Sequence, residues 1–359
     1  MDRRLWIEGL WMSLLGGIGI GSCASLRTPM AHASPMLADR LISAPRFGHF
    51  QLPPAPGETT PPILTALLSI PDQPWIACSG DDYWIRSVDP KDQRIVEAWP
   101  ANRQWISHLR WDARTRSIVG CGRDGKVWRK PMNGSPSATR WDLPISLKDL
   151  HSIPWSDVRE LAWIASDDRG DVVSIDATTD EIRMWWSDRS QGPWRIALHS
   201  EQKVVALAGR TGEVVLLEWP SGKEIVRRRL HRAPIRAMAI DPDRNLLFTA
   251  SEDRVLQALD LASHESHRIS IDDPTPWTAM IMADSRLLAL GGQDGTIRWI
   301  DREERIEVDR WEGHQGTLTA LAVHQDLLIS ASYDATIRFW PLADLGHRLA
   351  GRLQGRRVP

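Results

Sequence analysis

The run Leu327-Leu328-Ile329-Ser330-Ala331-Ser332-Tyr333-Asp334-Ala335-Thr336-Ile337-Arg338-Phe339-Trp340-Pro341 decides the fold. An apolar stretch ends in small residues, polar residues interrupt it at Tyr333-Asp334, and a second stretch alternates apolar with polar. A strand-length apolar run before a short break and an alternating run after it describe two antiparallel strands joined by a tight turn. Upstream, residues 318–323 form another apolar segment, and Gly313-His314 stands before it.

The same unit recurs along the chain. Turn anchors fall at Asp82, Asp124, Arg169, Thr211, Asp253, Asp294 and Asp334, at intervals of 42, 45, 42, 42, 41 and 40 residues. A fixed period in that range marks a repeat architecture. Four anchors are followed by Gly125, Gly170, Gly212 and Gly295, supplying the positive φ that a two-residue hairpin turn requires. Apolar runs ending in small residues precede the turns at Val204–Gly209, Leu246–Ser251 and Leu287–Gly292. The strands after the turns close in Val88-Asp89, Ile175-Asp176, Leu217-Glu218, Leu259-Asp260 and Ile300-Asp301. With the apolar segment ahead (235–240, 318–323) and a more polar one behind (94–99, 305–311), each unit holds four strands. The predicted fold is all-β: a seven-bladed β-propeller of four-stranded antiparallel blades over residues 59–342.

His314, Ser330, Asp334 and Trp340 match the structural tetrad of the WD-repeat family, which this chain resembles. In that family the His bridges to the turn Asp, and the hydroxyl and the Trp complete a hydrogen-bonded chain. His231, Thr249 and Asp253 recur as a partial tetrad, with Leu259 in place of the Trp. The resemblance implies a protein-interaction scaffold whose partners dock on one face of the ring. The loops of that face carry Asp81, Tyr83, Arg123, Arg210, Arg232, Glu252, Gln293, Gln315 and Tyr333, with Trp155 and Trp277 near the starts of innermost strands. Arg, Tyr and Trp are the types enriched at binding hot spots. Tyr83, Arg123, Trp155, Arg210, Trp277 and Tyr333 are therefore the candidate partner face. Solvated loop tips are the alternative reading.

Tryptophan supplies 19 of the 25 aromatic residues. Trp99, Trp141, Trp186 and Trp311 each lie 17 residues after their anchor, at the end of the outermost strand, where packing between blades is expected. In this family a strand from the other end of the chain closes the ring; residues 47–52 are the candidate here. The C-terminal segment 343–359 competes for that role. However, Leu342, Leu345, Leu349 and Leu353, flanked by Arg348, Arg352 and Arg356, read as a basic amphipathic helix that caps the ring or lies on an anionic membrane.

Residues 1–33 read as an export signal: Arg3-Arg4 precedes an uncharged stretch from Gly9 to Leu26. Ile20-Gly21-Ser22-Cys23 resembles a bacterial lipobox, making Cys23 the candidate lipidation site. Ala31-His32-Ala33 offers an alternative cleavage site, and an uncleaved membrane helix is the bland reading of the same stretch. Residues 34–58 are a Pro-rich linker. The expected address is the cell envelope or periplasm, with a membrane-anchored lipoprotein as the sharper form. The resemblance is thus to a bacterial-type exported WD-repeat β-propeller protein.

The chain of 359 residues carries a formal net charge of −2, which gives it no overall reason to coat nucleic acid. Three cysteines, at 23, 78 and 121, are too few for a disulfide scaffold, and Cys78 and Cys121 read as small core residues. The eleven histidines are scattered singly, and no phosphate loop, nucleophile elbow or haem motif occurs. No catalytic residue, metal or cofactor is expected, and the partners are unidentified proteins. Two alternatives are a quinoprotein-like propeller dehydrogenase, loosely echoed by residues 89–99 and 176–185, and an envelope-assembly lipoprotein.

Overall fold

The computed structural model describes residues 48–345, except 56–57, 102–104, 136–137, 144–145, 154–161 and 191. The export signal with Cys23 and the tail beyond residue 345 lie outside the described residues, as does the linker up to residue 47. Twenty-eight strands form seven four-stranded antiparallel sheets. Six are built from four consecutive strands. The innermost strands of blades one to seven are Leu64–Ser69, Ile106–Asp112, Leu147–Ser152, Pro193–His199, Ile235–Asp241, Trp277–Met282 and Leu318–His324.

Blade seven takes its fourth strand from the N-terminal side. His49–Gln51 pairs antiparallel with Thr336–Pro341, in the register His49↔Arg338, Phe50↔Ile337 and Gln51↔Thr336. Leu52, fully buried, enters the same cluster as Leu64, Ile76, Ile329 and Ile337. Blades seven and one therefore bury a common apolar surface that this strand helps to fill. Residues 342–345 are helical, and Leu345 packs in the cluster of Trp311 and Trp340.

Seven hydrophobic clusters sit one at each junction between neighbouring blades. A four-stranded sheet has two faces, and stacking radially is what removes both from water. Alternation sends Cys78 to the junction of blades seven and one, and Cys121 to that of blades two and three. Both thiols are free, and burial pushes each up to about 12. Trp99, Trp141 and Trp311 are buried at these junctions, and Trp186 packs half-buried at the junction of blades three and four.

The turns differ from the two-residue expectation. Strands two and three of blade two are joined by three residues, 123–125, with Gly125 N–H donating to the Gly122 carbonyl. Blades four, six and seven repeat this with Gly212, Gly295 and Ala335. This is a type I turn followed by a left-handed residue, the three-residue solution that matches strand twist. All seven anchors are followed by a residue of positive φ: Tyr83, Gly125, Gly170, Gly212, Arg254, Gly295 and Ala335. At Gly295 (φ +75°) a Cβ would also lie 2.4 Å from the His314 carbonyl oxygen, so the next blade's entry loop needs glycine there.

On the opposite face, the Asp that closes strand three holds the following hairpin. Asp301 accepts from the N–H groups of Glu303 (2.9 Å) and Glu304 (3.0 Å), and Asp176 does the same with Thr178 and Thr179. A carboxylate that satisfies two turn donors explains why Asp recurs at this place.

Candidate functional site at the channel mouth

The tetrads fix the loops of one face. His314 Nδ1 lies 3.0 Å from Asp334, its Nε2 lies 2.7 Å from Ser330 Oγ, and Trp340 Nε1–H donates to that oxygen at 2.8 Å. A carboxylate only accepts, so Nδ1 carries the proton and Nε2 accepts from the serine hydroxyl. Burial lowers the His314 pKa despite the Asp334 charge, which keeps the ring neutral and this relay of donors consistent. Burial alone would raise the Asp334 pKa. The bonds from His314 and Thr336 outweigh it and hold the carboxyl far below its usual range. Asp334 also accepts from the Gln315 N–H at 2.9 Å, so the network ties the entry loop of blade seven to its turn. His231 repeats this with Asp253 (3.1 Å) and Thr249 (2.9 Å).

Blades one and six solve the same problem with arginine. Arg298, only 1% exposed, reaches back to Asp294 at 2.9 Å and lies over the Trp277 ring at 5.0 Å. Arg86 pairs with Asp82 in the same way. Trp277 was expected on the partner face, and the structure corrects this. Its side chain is fully buried among Leu288, Leu290 and Ile300. It occupies the first position of an innermost strand, where Leu64, Ile106, Leu147, Ile235 and Leu318 are likewise buried. That position points into the blade junction and not toward the rim.

The remaining expected residues fall as follows. Tyr333 (54% exposed) and Tyr83 (39%) stand on the rim, and Arg123, Arg210 and Arg232 are exposed beside them. Trp155 lies outside the described residues. Arg123, Glu252, Gln293 and Tyr333 line a cavity of about 440 Å³ at the mouth of the axial channel. Trp105, 36% exposed and not singled out from the sequence, joins them with the Arg123 guanidinium 4.5 Å from its ring centre.

Deeper in the channel lies a polar cluster that the sequence reading missed. Asp149, 2% exposed, accepts from Leu150 N–H (2.9 Å), Arg110 (3.0 Å) and Ile196 N–H (3.0 Å). His151 Nε2 lies 3.3 Å and His108 Nε2 3.6 Å from the same carboxylate. Burial opposes the Asp149 charge, but the surrounding polar groups, among them the Arg110 guanidinium and the two backbone donors, outweigh it and hold the pKa well below the carboxylate range. Arg195 donates to His108 Nε2 at 2.7 Å. Burial takes the His108 pKa down to about 3, so the ring is neutral and accepts that bond. Two of the histidines that look isolated in sequence thus converge on one carboxylate. A signal was present: at equivalent registers of the innermost strands stand Ala66, His108, Asp149, Arg195, Ala237, Ala279 and Ala320. Four small residues and three consecutive polar ones mark where the axis is filled from one side.

Among the described residues no group of three or more His, Cys, Asp or Glu side chains could hold a metal ion. Nor is any described helix long and apolar enough to cross a membrane. What the arrangement offers is a ring with a polar, cation-rich opening on the tetrad face.

Comparison with known proteins agrees with this geometry. The family model for the WD domain, G-beta repeat, matches residues 222–257 and 306–341, the segments that run into the third strands of the two tetrad-bearing blades. WD repeat-containing protein 55 of Bos taurus is 26% identical over 241 residues, covering 62% of this chain and 60% of that protein. WD repeat-containing protein 36 of Homo sapiens is 30% identical, covering 31% and 13%. Apoptotic protease-activating factor 1 of Rattus norvegicus is 29% identical, covering 38% and 11%. In none of these three does the match reach two thirds of the relative's length. Two blades match the WD-repeat model and these relatives are WD-repeat proteins, which supports a WD-repeat family for the chain, and its seven blades form a propeller of that kind.

Proposed function

We propose that this protein is a non-catalytic scaffold whose protein partner docks on the tetrad face around the channel mouth. The observation that carries the reading is the presence of exposed Tyr83, Trp105, Arg123, Arg210 and Tyr333 in the loops of this one face, with the Tyr333 loop held by the buried His314–Asp334 network. Aromatic and arginine side chains on a rigid frame lose little freedom on binding. Cross-linking followed by mass spectrometry tests it. A Tyr333→Ala, Arg210→Ala, Tyr83→Ala variant should lose its cross-linked partner, while Lys91→Ala, Glu265→Ala, Glu304→Ala on the opposite face should retain it. The reverse pattern sinks the assignment.

Export and a lipid anchor belong to the same proposal and are supported by the sequence of residues 1–33 alone. A Cys23→Ser variant should leave the membrane fraction and incorporate no labelled palmitate. Unchanged membrane association would place the anchor elsewhere.

A further inference from the structure

The lining of the mouth cavity holds Arg123, Lys148, Arg195 and Arg236 against a single carboxylate, Glu252. Arg236 is neutralised by that carboxylate at 2.6 Å. Arg195 spends its donors on neutral acceptors, the Arg236 carbonyl (2.6 Å) and His108 Nε2 (2.7 Å). The Arg123 guanidinium lies on Trp105. The Lys148 amine makes neither a hydrogen bond nor an ion pair among the described residues. One tier down, Asp149 is already shared by Arg110 and two backbone donors. Among the described residues, Arg123, Lys148 and Arg195 therefore face the channel mouth with no carboxylate in ion-pair contact, Asp168 and Asp149 acting on Lys148 and Arg195 only from farther away, in a chain whose net charge is −2.

Burial lowers the Lys148 pKa, Arg123 lowers it further, and Arg236 and Arg195 add to this while Asp168 opposes. Like charges half-withdrawn from water raise one another's energy, and an anion placed among them recovers it. The volume of about 440 Å³ lies within the range of roughly 300–1,000 Å³ usual for ligand pockets. The opening is flanked by Trp105 and Tyr333, flat side chains over which a peptide can run.

We propose that the channel mouth seats the carboxylates of an acidic peptide segment, with Lys148 and Arg123 as its principal contacts. This rests on the reading of the tetrad face as the docking surface and names the chemistry of what docks. The cation cluster focuses the field at the mouth, so association is fast at low salt and falls steeply as salt screens it.

The test is fluorescence anisotropy of a labelled oligoglutamate peptide with the full chain. Binding should occur at low ionic strength and vanish near 1 M salt, where the screening length is about 3 Å. Lys148→Met and Arg123→Gln should each weaken binding by about tenfold or more, the loss expected when a desolvated charge pair is removed. Oligoglutamine and oligolysine should not bind, and unchanged melting curves establish that the variants fold. Equal binding by the variants, or none by the wild type, overturns the proposal. Binding of inorganic phosphate without binding of oligoglutamate also overturns it, assigning the mouth to a free anion. If oligoglutamate fails while the Tyr333 variant still loses its cross-linked partner, only the acidic occupant is wrong. If oligoglutamate binds while cross-linking survives that variant, only the docking reading is wrong.

Discussion

Asp149 in blade three accepts a hydrogen bond at 3.0 Å from the backbone N–H of Ile196 in blade four, and at its other oxygen another from Arg110 of blade two. One carboxylate thus ties three consecutive blades at the axis. Replacing it by alanine removes the carboxylate partner of the partly exposed Arg110 guanidinium and leaves two backbone donors without this buried acceptor. Asp149→Ala should cost about 3–5 kcal/mol, the usual penalty for removing one partner of a buried charge network. The half-exposed Arg236–Glu252 pair makes the contrast. Glu252→Ala should cost less than about 1 kcal/mol. Urea titration of both variants checks the difference, and equal midpoints would remove Asp149 from its structural role.

The same cluster predicts how stability responds to acid. His108 titrates at about 3 in the folded chain against an ordinary value of 6.5, and His151, His231 and His314 are also lowered, all by burial first. A folded pKa below the unfolded one means the unfolded chain binds more protons between the two values. Stability is then fully present above about pH 6.5 and declines as pH falls toward 3. Asp149 and Asp334, held below their ordinary value, extend the loss to lower pH. Melting temperatures measured from neutrality downward should fall before ordinary carboxylates titrate, and His108→Asn should flatten that slope. A flat profile between pH 7 and 5 would contradict the buried neutral histidines.

Asp334 joins His314, Thr336 and the Gln315 N–H in one partly buried network. Asp334→Ala leaves His314 Nδ1–H without its acceptor and should cost about 1–3 kcal/mol. Tyr333, its exposed neighbour in the same turn, should change stability by no more than about 0.5 kcal/mol when truncated. Denaturant midpoints of the two single variants decide it, and indistinguishable losses would deny the tetrad its stabilising part.

The repeat period, the turn positions and the His–hydroxyl–Asp sets were legible because each is written within one unit of about forty residues. Even the three turns without glycine fall at the predicted place, since Tyr83, Arg254 and Ala335 adopt the same left-handed conformation as the four glycines. The loop length was not legible, because a positive φ fits both the two-residue turn and the three-residue one. The axial cluster was hidden for a different reason. His108, Asp149 and Arg195 sit in three separate units, and only closure of the ring brings their side chains together. Arg86 and Arg298 were overlooked likewise: a buried arginine standing in for the tetrad histidine leaves no family motif to recognise.

Trp277 and Trp105 carry the last prediction, because sequence alone placed the first on the surface and passed over the second. Trp277 is fully buried between blades five and six, with Arg298 over its ring at 5.0 Å. Trp277→Ala removes that packing and leaves a cavity that neighbouring strands cannot close. The cost should be about 3–5 kcal/mol. Trp105 is 36% exposed at the mouth and touches Arg123 across 4.5 Å. Its truncation should shift stability by about 1 kcal/mol or less, the scale of a partly exposed cation–π contact, yet weaken oligoglutamate binding by freeing Arg123 from its orientation. Thermal melts and anisotropy on the two variants give opposite patterns if this is right: Trp277→Ala loses stability and Trp105→Ala loses affinity. A Trp105→Ala variant that binds as tightly as the wild type, beside a Trp277→Ala variant that melts normally, would show that both side chains have been placed in the wrong roles.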